Sequence, residues 1–386
     1  MKSESADHGP PARADETSSA RRGRRRPTTR QILRGLFFVA VAAGVFALLP
    51  RLGGLAHDAA RLRHARPAFV VAAAVAQAVS LGCYALLYRR VLASLGARLP
   101  FRVALDVTMA SFLVSHVTPF GSATGTVLNV STLEQEGIAG STTGEAIGLT
   151  SLVSSIALIA LFGAGFAATA GQHLSATYLR IVIIAFTLIV LVLLLAFLVA
   201  AHPGIAERAG RWAGRMVRRF KPSVDPEQVA RSSKRMVLLA RSALTGRAFA
   251  ESYGFASADL LLDLLSLDLM FLALRYQPGF GPLAVAYAAA NIASVIPITP
   301  GGLGVIEVTL VAITVGFGAP RATAVLAVLG YRIVNYWLPL LPGGVAYLRL
   351  RLTLNAASRR KSPAPPAGRK SSAPPAGRKS STPPAE

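Results

Sequence analysis

The sequence predicts an all-α polytopic membrane protein with about six full spans and two re-entrant broken helices. Hydrophobic residues make up 53% of the 386 residues and charged residues only 15%. Several apolar runs approach the length of about 18 residues that a transmembrane helix needs. In addition, Pro-Gly interruptions divide short apolar runs at corresponding points of two halves, and this pattern predicts an inverted repeat.

The six predicted full spans are separated by polar links. They cover about 32–49, 67–88, 146–170, 179–201, 248–274 and 322–348. Around them the chain divides into a disordered basic arm (1–30), a first membrane half (31–201), a basic loop (202–247), a second membrane half (248–352) and a disordered Pro/Ser/Lys tail (353–386).

The net charge of +23 is concentrated in both tails and in the loop 202–247. Because Lys and Arg are enriched in cytoplasmic segments, we expect both termini and this loop to lie in the cytoplasm, with the chain in the cell (inner) membrane. The link 51–66 carries four arginines and is the exception to this orientation. Basic segments beside spans set topology and contact anionic lipid, so we expect no nucleic-acid partner.

The central interruption is Thr299-Pro300-Gly301-Gly302-Leu303-Gly304. Proline lacks a backbone donor and glycine adopts backbone angles that other residues avoid, so a helix should stop and restart here. Its two arms, about 283–296 and 303–317, are each roughly 22 Å long at 1.5 Å per residue. That is short for a membrane core of about 30 Å, which favours two half-helices over two spans.

Two charges lie close to this interruption in apolar sequence. Glu307 is one turn into the second arm, and Arg332 lies within the last predicted span. A buried intramembrane charge is costly, so we expect each to need a partner and predict that they pair. The sequence leaves two interpretations open: a polar site for an anionic head group, or a structural ion pair between two helices.

An earlier interruption, Thr118-Pro119-Phe120-Gly121, has the same residue types. It lies between short apolar runs at about 103–114 and 123–130. With the central one it predicts a substrate site near the membrane midplane. The residues predicted to line that site are Thr118, Pro119, Gly121, Thr299, Pro300, Gly301, Gly302, Gly304, Glu307 and Arg332.

Other polar residues in apolar sequence have structural alternatives. Asp259 and Asp263 share a helix face and could relay protons or balance a nearby arginine, or could face water without a role, as could Asp268. We expect His116 to be a hydrogen-bonded helix-end residue rather than a ligand. Three asparagines are predicted to form interhelical hydrogen bonds: Asn129, Asn291 and Asn335.

Signatures of enzymes and metal sites are missing from the sequence. It contains no P-loop, no His-Glu-x-x-His and no Gly-x-Ser-x-Gly, and its single cysteine, Cys83, lies in an apolar run. We therefore predict that the chain is not an enzyme and needs no cofactor or metal.

The segment from Pro300 to Glu307, followed by Tyr331-Arg332 and by Trp337-Leu338-Pro339-Leu340-Leu341-Pro342-Gly343-Gly344, resembles a known family. It is similar to the lysylphosphatidylglycerol synthase transmembrane region, or flippase-like domain family, over about residues 30 to 352. The resemblance implies a lipid-handling membrane protein. In full-length synthases this region moves aminoacylated phosphatidylglycerol across the bilayer.

The sequence departs from the family pattern in two places. Only a low-complexity tail follows Leu352 in this sequence, so we do not expect the synthase activity here. Many members also have Gly-Glu at the first interruption and an arginine downstream, whereas Gly125-Thr126 stands here and no arginine lies in the next span. A symmetric mechanism with one ion pair in each half is therefore not predicted.

Three functions remain open from the sequence. The first is a flippase-like protein that translocates a lipid with an anionic head group. The second is a non-transporting membrane subunit that scaffolds a lipid synthase or glycosyltransferase through its basic loops. The third is a lipid-modifying enzyme.

Overall fold

A computed structural model describes residues 65–118, 121–169, 203–220, 225–243, 246–294 and 299–361. All regular elements in these ranges are helical. Three described helices are long and apolar enough to cross a membrane: Pro67–Ser94, Gly140–Ala168 and the continuous stretch Arg321–Thr353. They coincide with three of the six predicted spans. The spans predicted at 32–49 and 179–201 and the arm 1–30 lie outside the described residues.

The first membrane half has four described helices. The first helix begins at a proline. Proline is tolerated there because the first N–H groups of a helix have no acceptor within the helix. It continues past the predicted end at Tyr88, and the fourth helix begins before the predicted start at Ala146. The four helices are α1 Pro67–Ser94, α2 Phe101–Val117, α3 Gly121–Leu133 and α4 Gly140–Ala168.

The rest of the described chain adds seven helices, of which the first two lie in the loop predicted at 202–247. They are α5 Pro203–Phe220, α6 Pro226–Ala243, α7 Gly246–Ala273, α8 Phe280–Ala293, α9 Val305–Gly316, α10 Arg321–Arg332 and α11 Leu338–Lys361. A short 3-10 turn, Pro300–Gly302, precedes α9, and a π-helical turn, Ile333–Trp337, joins α10 to α11.

Helices α1 and α7 pack antiparallel along their length. At one end the Arg66 backbone N–H donates to the Ala273 carbonyl at 3.0 Å. In the middle Ser80 Oγ donates to Asp259 Oδ1 at 2.6 Å. Helix α7 carries three aspartates and is not among the three helices that qualify as spans on apolar composition.

Helix α8 lies in the core of the bundle, against α4 and α9. Its residues from Gly281 to Ala288 are all buried. Half of them are glycine or alanine, so neighbouring backbones approach closely, as is common between helices in membranes. At 14 residues this helix is shorter than the roughly 20 residues that span a bilayer core.

The last predicted span, 322–348, differs from the structure in two ways. Its helix contains the π-helical turn directly after Arg332, and it continues to Lys361, past the predicted boundary at Leu352. A π-helical turn often marks a functional position. The number of spans and the inverted repeat stay predictions.

Candidate functional site: the Glu307–Arg332 pair at the helix break

The central break lies between α8 and α9. In the 3-10 turn, Gly301 has φ 62° and Gly302 has φ 66°, and Gly304 before α9 has φ 87°. These left-handed angles favour glycine, which explains why the break is glycine-rich. The Thr299 hydroxyl donates to the Leu303 carbonyl at 2.7 Å and closes the turn. The helix therefore restarts at Val305 with its N-terminus facing the break.

Glu307 makes two contacts with its two carboxylate oxygens. Oε2 accepts the Gly304 N–H at 2.6 Å, which caps the start of α9. Oε1 accepts Arg332 Nε at 2.6 Å. A negative charge in the first turn is also favoured by the helix dipole. Glu307 thus holds the restarted helix and the arginine of α10 together.

Arg332 is 2% exposed, and Glu307 is equally buried. Besides Glu307, its guanidinium donates from Nη2 to the Gly301 carbonyl at 3.1 Å and makes a longer contact, 3.4 Å, from Nη1 to Asn335 Oδ1. It also lies over the Tyr336 ring, 4.8 Å from the centroid. A buried arginine needs such partners because desolvating an unpaired charge is costly.

A second polar centre, at Asp263 on α7, is linked to Arg332 through Asn335. The Asn335 amide donates to Asp263 Oδ1 at 2.8 Å. The Tyr287 hydroxyl donates to Oδ2 at 2.8 Å, and the Tyr331 hydroxyl lies 3.0 Å from Oδ1. The network therefore joins three α-helices and the π-helical turn, since Glu307 lies on α9, Arg332 on α10, Asp263 on α7 and Asn335 in the turn.

The first break meets the second through Tyr336 and His116. The Tyr336 hydroxyl donates to the His116 carbonyl at 3.0 Å. The two rings make an edge contact with centroids 5.1 Å apart. A methyl group added at Gly301 would overlap both rings. The turn at Gly301 is therefore packed directly against the C-terminal end of α2.

The structure brings four predicted site residues together in one network: Gly301, Gly304, Glu307 and Arg332. Thr299 lies beside them and bonds the Leu303 carbonyl. Pro300 and Gly302 belong to the same 3-10 turn. Thr118 belongs to the neighbouring break, where its hydroxyl donates to the Val114 carbonyl at 2.6 Å and lies 2.5 Å from the Thr124 hydroxyl. Gly121 begins α3, and Pro119 lies outside the described residues.

The other polar predictions had mixed outcomes. His116 lies in the last turn of α2, and its Nδ1 is 2.8 Å from the Phe112 carbonyl, as expected for a helix-end residue. Asn129 accepts from Tyr88 of α1, and Asn335 donates to α7, so both are interhelical. The prediction for Asn291 is wrong, because its amide donates to the Tyr287 carbonyl of its own helix at 3.0 Å.

Sequence reasoning missed the tyrosines of the network. Tyr287, Tyr331 and Tyr336 each donate to a partner on another helix. One signal was present in the sequence: Tyr331 and Tyr336 flank Arg332 and Asn335 on a single helix. Buried tyrosine hydroxyls usually find a partner, so aspartates in the spans were the natural candidates.

An apolar crevice of about 210 Å³ lies between α1, α7 and α10, next to the π-helical turn. Three of its lining residues, Gly330, Ile333 and Val334, flank Arg332 in sequence. On the other sides it is lined by Ala65, Val70, Met270, Ala273, Leu274 and Leu326. It has the volume and the apolar lining to hold part of an alkyl chain.

The closed network limits how an anion could bind Arg332. An anion can reach the Arg332 guanidinium only if Glu307 or the Gly301 carbonyl gives way, because both hold it at hydrogen-bond distance. Within the described residues no group of His, Cys, Asp and Glu side chains is placed to hold a metal ion. The site is therefore a closed, buried ion pair at a helix break.

Comparison with known proteins gives a family match over most of the chain. Residues 35–343 match the family described as the lysylphosphatidylglycerol synthase TM region. Curated relatives match shorter parts. The chain is 30% identical over 96 residues to a UPF0104 membrane protein of Pyrococcus horikoshii, covering 25% of this chain and 29% of that protein.

Two further relatives come from an archaeon and a bacterium. A UPF0104 membrane protein of Methanothermobacter thermautotrophicus is 31% identical over 78 residues, which are 20% of this chain and 23% of that protein. The inner membrane protein YbhN of Escherichia coli is 30% identical over 103 residues, 26% of this chain and 32% of that protein. The chain thus spans less than a third of the length of each of these relatives.

Proposed function

Since this chain belongs to the lysylphosphatidylglycerol synthase transmembrane region family, we propose that it translocates a lipid with an anionic head group across the cell membrane. The observation that carries the proposal is the buried Glu307–Arg332 pair across the helix break. A fully buried charge pair contributes little net stability compared with apolar packing of similar volume. Intramembrane charges of this kind more often belong to a substrate pathway.

The proposed step is an exchange of anions at Arg332. A lipid phosphate entering the break takes the place of the Glu307 carboxylate, because a guanidinium binds both groups through paired hydrogen bonds. Glu307 keeps its bond to the Gly304 N–H, so α9 stays capped while the pair is open. The N-terminus of α9 adds a positive dipole end to the same place. Departure of the lipid restores the closed pair.

The acyl chains stay outside this polar centre. The crevice lined by Gly330, Ile333 and Val334 is beside the arginine on the apolar side of the same helix. One chain resting there places the head group within reach of the break. The substrate is accordingly a membrane lipid with a phosphate-containing head group and not a soluble anion.

Substitution of Arg332 by Lys tests the proposal. The purified chain is reconstituted into vesicles with a short-chain fluorescent phosphatidylglycerol, and translocation is followed by loss of fluorescence to an added membrane-impermeant reductant. Lysine keeps the charge but loses the paired geometry. The loss of one charge-assisted hydrogen bond, about 1.5–3 kcal/mol, predicts a fall in the translocation rate of about tenfold or more.

The matched control is Arg90→Lys. Arg90 pairs with Glu251 between α1 and α7, away from the break and partly exposed. Its substitution should leave translocation unchanged. Equal translocation by the Arg332→Lys and parent proteins, with both folded, would contradict paired binding of the lipid phosphate by Arg332. Reversing both charges of the pair is a poor rescue test, because a carboxylate at 332 would face the Gly301 carbonyl.

A parent protein without translocation activity would contradict the proposal and favour a scaffolding function. The partner would then be a lipid synthase or a glycosyltransferase, and copurification with such an enzyme is the corresponding measurement. Turnover of lipid by the purified chain would instead indicate a lipid-modifying enzyme.

A further inference from the structure

The two helices α5 and α6 form a hairpin with an inner and an outer face. On the inner face Arg211 pairs with Glu227 at 2.7 Å, and Lys234 pairs with Glu207 at 3.1 Å. The hydrogen bond and positive charge of Lys234 lower the pKa of Glu207. The inner charges therefore neutralise one another and hold the hairpin together.

The outer face of α5 has a different composition. Ile205, Trp212 and Met216 follow helical spacing and are 40%, 61% and 44% exposed. Residues three, four and seven positions apart lie on one side of a helix, so these three form a continuous apolar stripe. A large exposed apolar stripe of this kind marks an interaction surface.

Arginines border this stripe. Arg208 lies three residues after Ile205, and Arg219 lies three after Met216 and seven after Trp212, so both adjoin the stripe. Arg215 lies next to them along one edge. All three are exposed, and none has an ion-pair partner within the described residues. In contrast with the inner Arg211, they are free to bind an external anion.

The hairpin is fixed beside the ends of membrane helices. Arg235 of α6 pairs with Glu145 in the second turn of α4 at 2.7 Å. Helix α7 begins at Gly246, directly after the end of α6 at Ala243. A helix of 29 residues, such as α4, is longer than a membrane core of about 30 Å requires at 1.5 Å per residue. This excess length and the charge of Glu145 favour the level of the lipid head groups for the first turns of α4 and for the hairpin that Arg235 joins to them.

We propose that α5 lies in the surface of the bilayer and binds anionic phospholipid. The stripe of Ile205, Trp212 and Met216 enters the boundary between head groups and acyl chains, and Arg208, Arg215 and Arg219 bind lipid phosphates. Interfacial helices combine an apolar face with basic residues beside it. Tryptophan favours the boundary between head groups and acyl chains because one part of its ring is apolar and the other carries a polar N–H. This surface is separate from the Arg332 site, and it does not depend on lipid translocation.

Trp212 itself reports the test, because the chain has only two tryptophans. In the full chain with Trp337→Phe, Trp212 is the single tryptophan. The protein is placed in nanodiscs of phosphatidylcholine alone or with phosphatidylglycerol. With phosphatidylglycerol we expect Trp212 emission to shift to shorter wavelength, to be quenched by lipids brominated near the head group and to be severalfold less accessible to acrylamide.

The chain offers a matched pair of variants for the charge. Arg219→Glu reverses a charge beside the stripe, whereas Arg218→Glu reverses the neighbouring exposed charge on the opposite side of α5. We expect Arg219→Glu to abolish the difference between the two lipid compositions and Arg218→Glu to preserve it. Elution profile and melting temperature confirm that each variant is folded.

Two results would overturn the proposal. If Trp212 remains accessible to acrylamide in both lipids, the stripe does not enter the bilayer and faces a protein partner. If Trp212 is protected equally in both lipids and in Arg219→Glu, the helix is held by apolar burial alone, and the binding of anionic phospholipid is wrong.

Discussion

The two helix breaks carry the same Thr-Pro-x-Gly sequence signature, yet they are held by different forces. At the second, a buried carboxylate and a guanidinium cross the gap between α9 and α10 and bind backbone groups of the turn. At the first, hydroxyl groups do the equivalent work, since Thr118 contacts Thr124 and Ser111 donates to the Gly125 carbonyl at 3.4 Å. Among the described residues, an ion pair thus crosses the second break, whereas hydroxyl groups make the contacts given for the first.

The difference shows that a repeated sequence signature does not fix the side-chain contacts around it. The breaks are in contact, because Tyr336 donates to the His116 carbonyl and Gly301 packs against both side chains. A movement that opens the Glu307–Arg332 pair would therefore also displace the contacts at the end of α2.

Among substitutions at the two breaks, Arg332→Gln should reduce the stability of the fold most. It leaves Glu307 buried without its cation, and removal of one member of a buried pair costs about 3–5 kcal/mol of folding free energy. No single substitution at the neutral break should cost as much. Melting temperature in detergent measures the effect.

The double variant Glu307→Gln with Arg332→Gln is its control. Both charges are then absent, so the melting temperature should recover in part, because the two residues act as one interacting unit. A melting temperature of Arg332→Gln equal to that of the parent would show that the second break is not held by charge.

An intermediate effect is expected from Gly301→Ala. A left-handed backbone angle costs a non-glycine residue about 1–2 kcal/mol of folding free energy. The added methyl group also overlaps Tyr336 and His116, and such overpacking costs about 1–3 kcal/mol more. The comparison is Gly125→Ala in α3, where the methyl group meets mainly the Ser115 hydroxyl, which can rotate away. Gly301→Ala should therefore have the lower melting temperature of the two variants. Equal melting temperatures would contradict the closer packing of the second break.

Much of the second break could be predicted from the sequence. Pro300, Gly301 and Gly302 indicate where the helix must stop, and the arms predicted at 283–296 and 303–317 correspond to α8 Phe280–Ala293 and α9 Val305–Gly316. The pairing of Glu307 with Arg332 followed from the cost of an unpaired intramembrane charge. These predictions rest on local backbone chemistry and on charge, which single residues reveal.

The remainder depends on packing between distant segments. Asp263, Tyr287 and Tyr331 are brought together only when α7, α8 and α10 pack, and apolar periodicity does not fix the rotation of helices that are apolar on all sides. The π-helical turn after Arg332 likewise has no single residue that marks it. The hairpin of α5 and α6 could be predicted only as a basic insertion, because its pairing of inner charges requires the fold.

The smallest effect is expected at the threonines of the two breaks. The Thr118 hydroxyl donates to the Val114 carbonyl and lies at hydrogen-bond distance from the Thr124 hydroxyl, so Thr118→Val removes both contacts. Thr299→Val removes one bond, to the Leu303 carbonyl. Each loss should cost about 0.5–1.5 kcal/mol, so the informative measurement is local amide hydrogen exchange.

Thr118→Val should speed exchange at 121–125, because hydroxyl contacts are what hold that break. Thr299→Val should change exchange at 302–307 much less, because Glu307 still caps α9 and Arg332 still binds the Gly301 carbonyl. Equal increases at the two breaks would mean that the ion pair does not hold the second break closed.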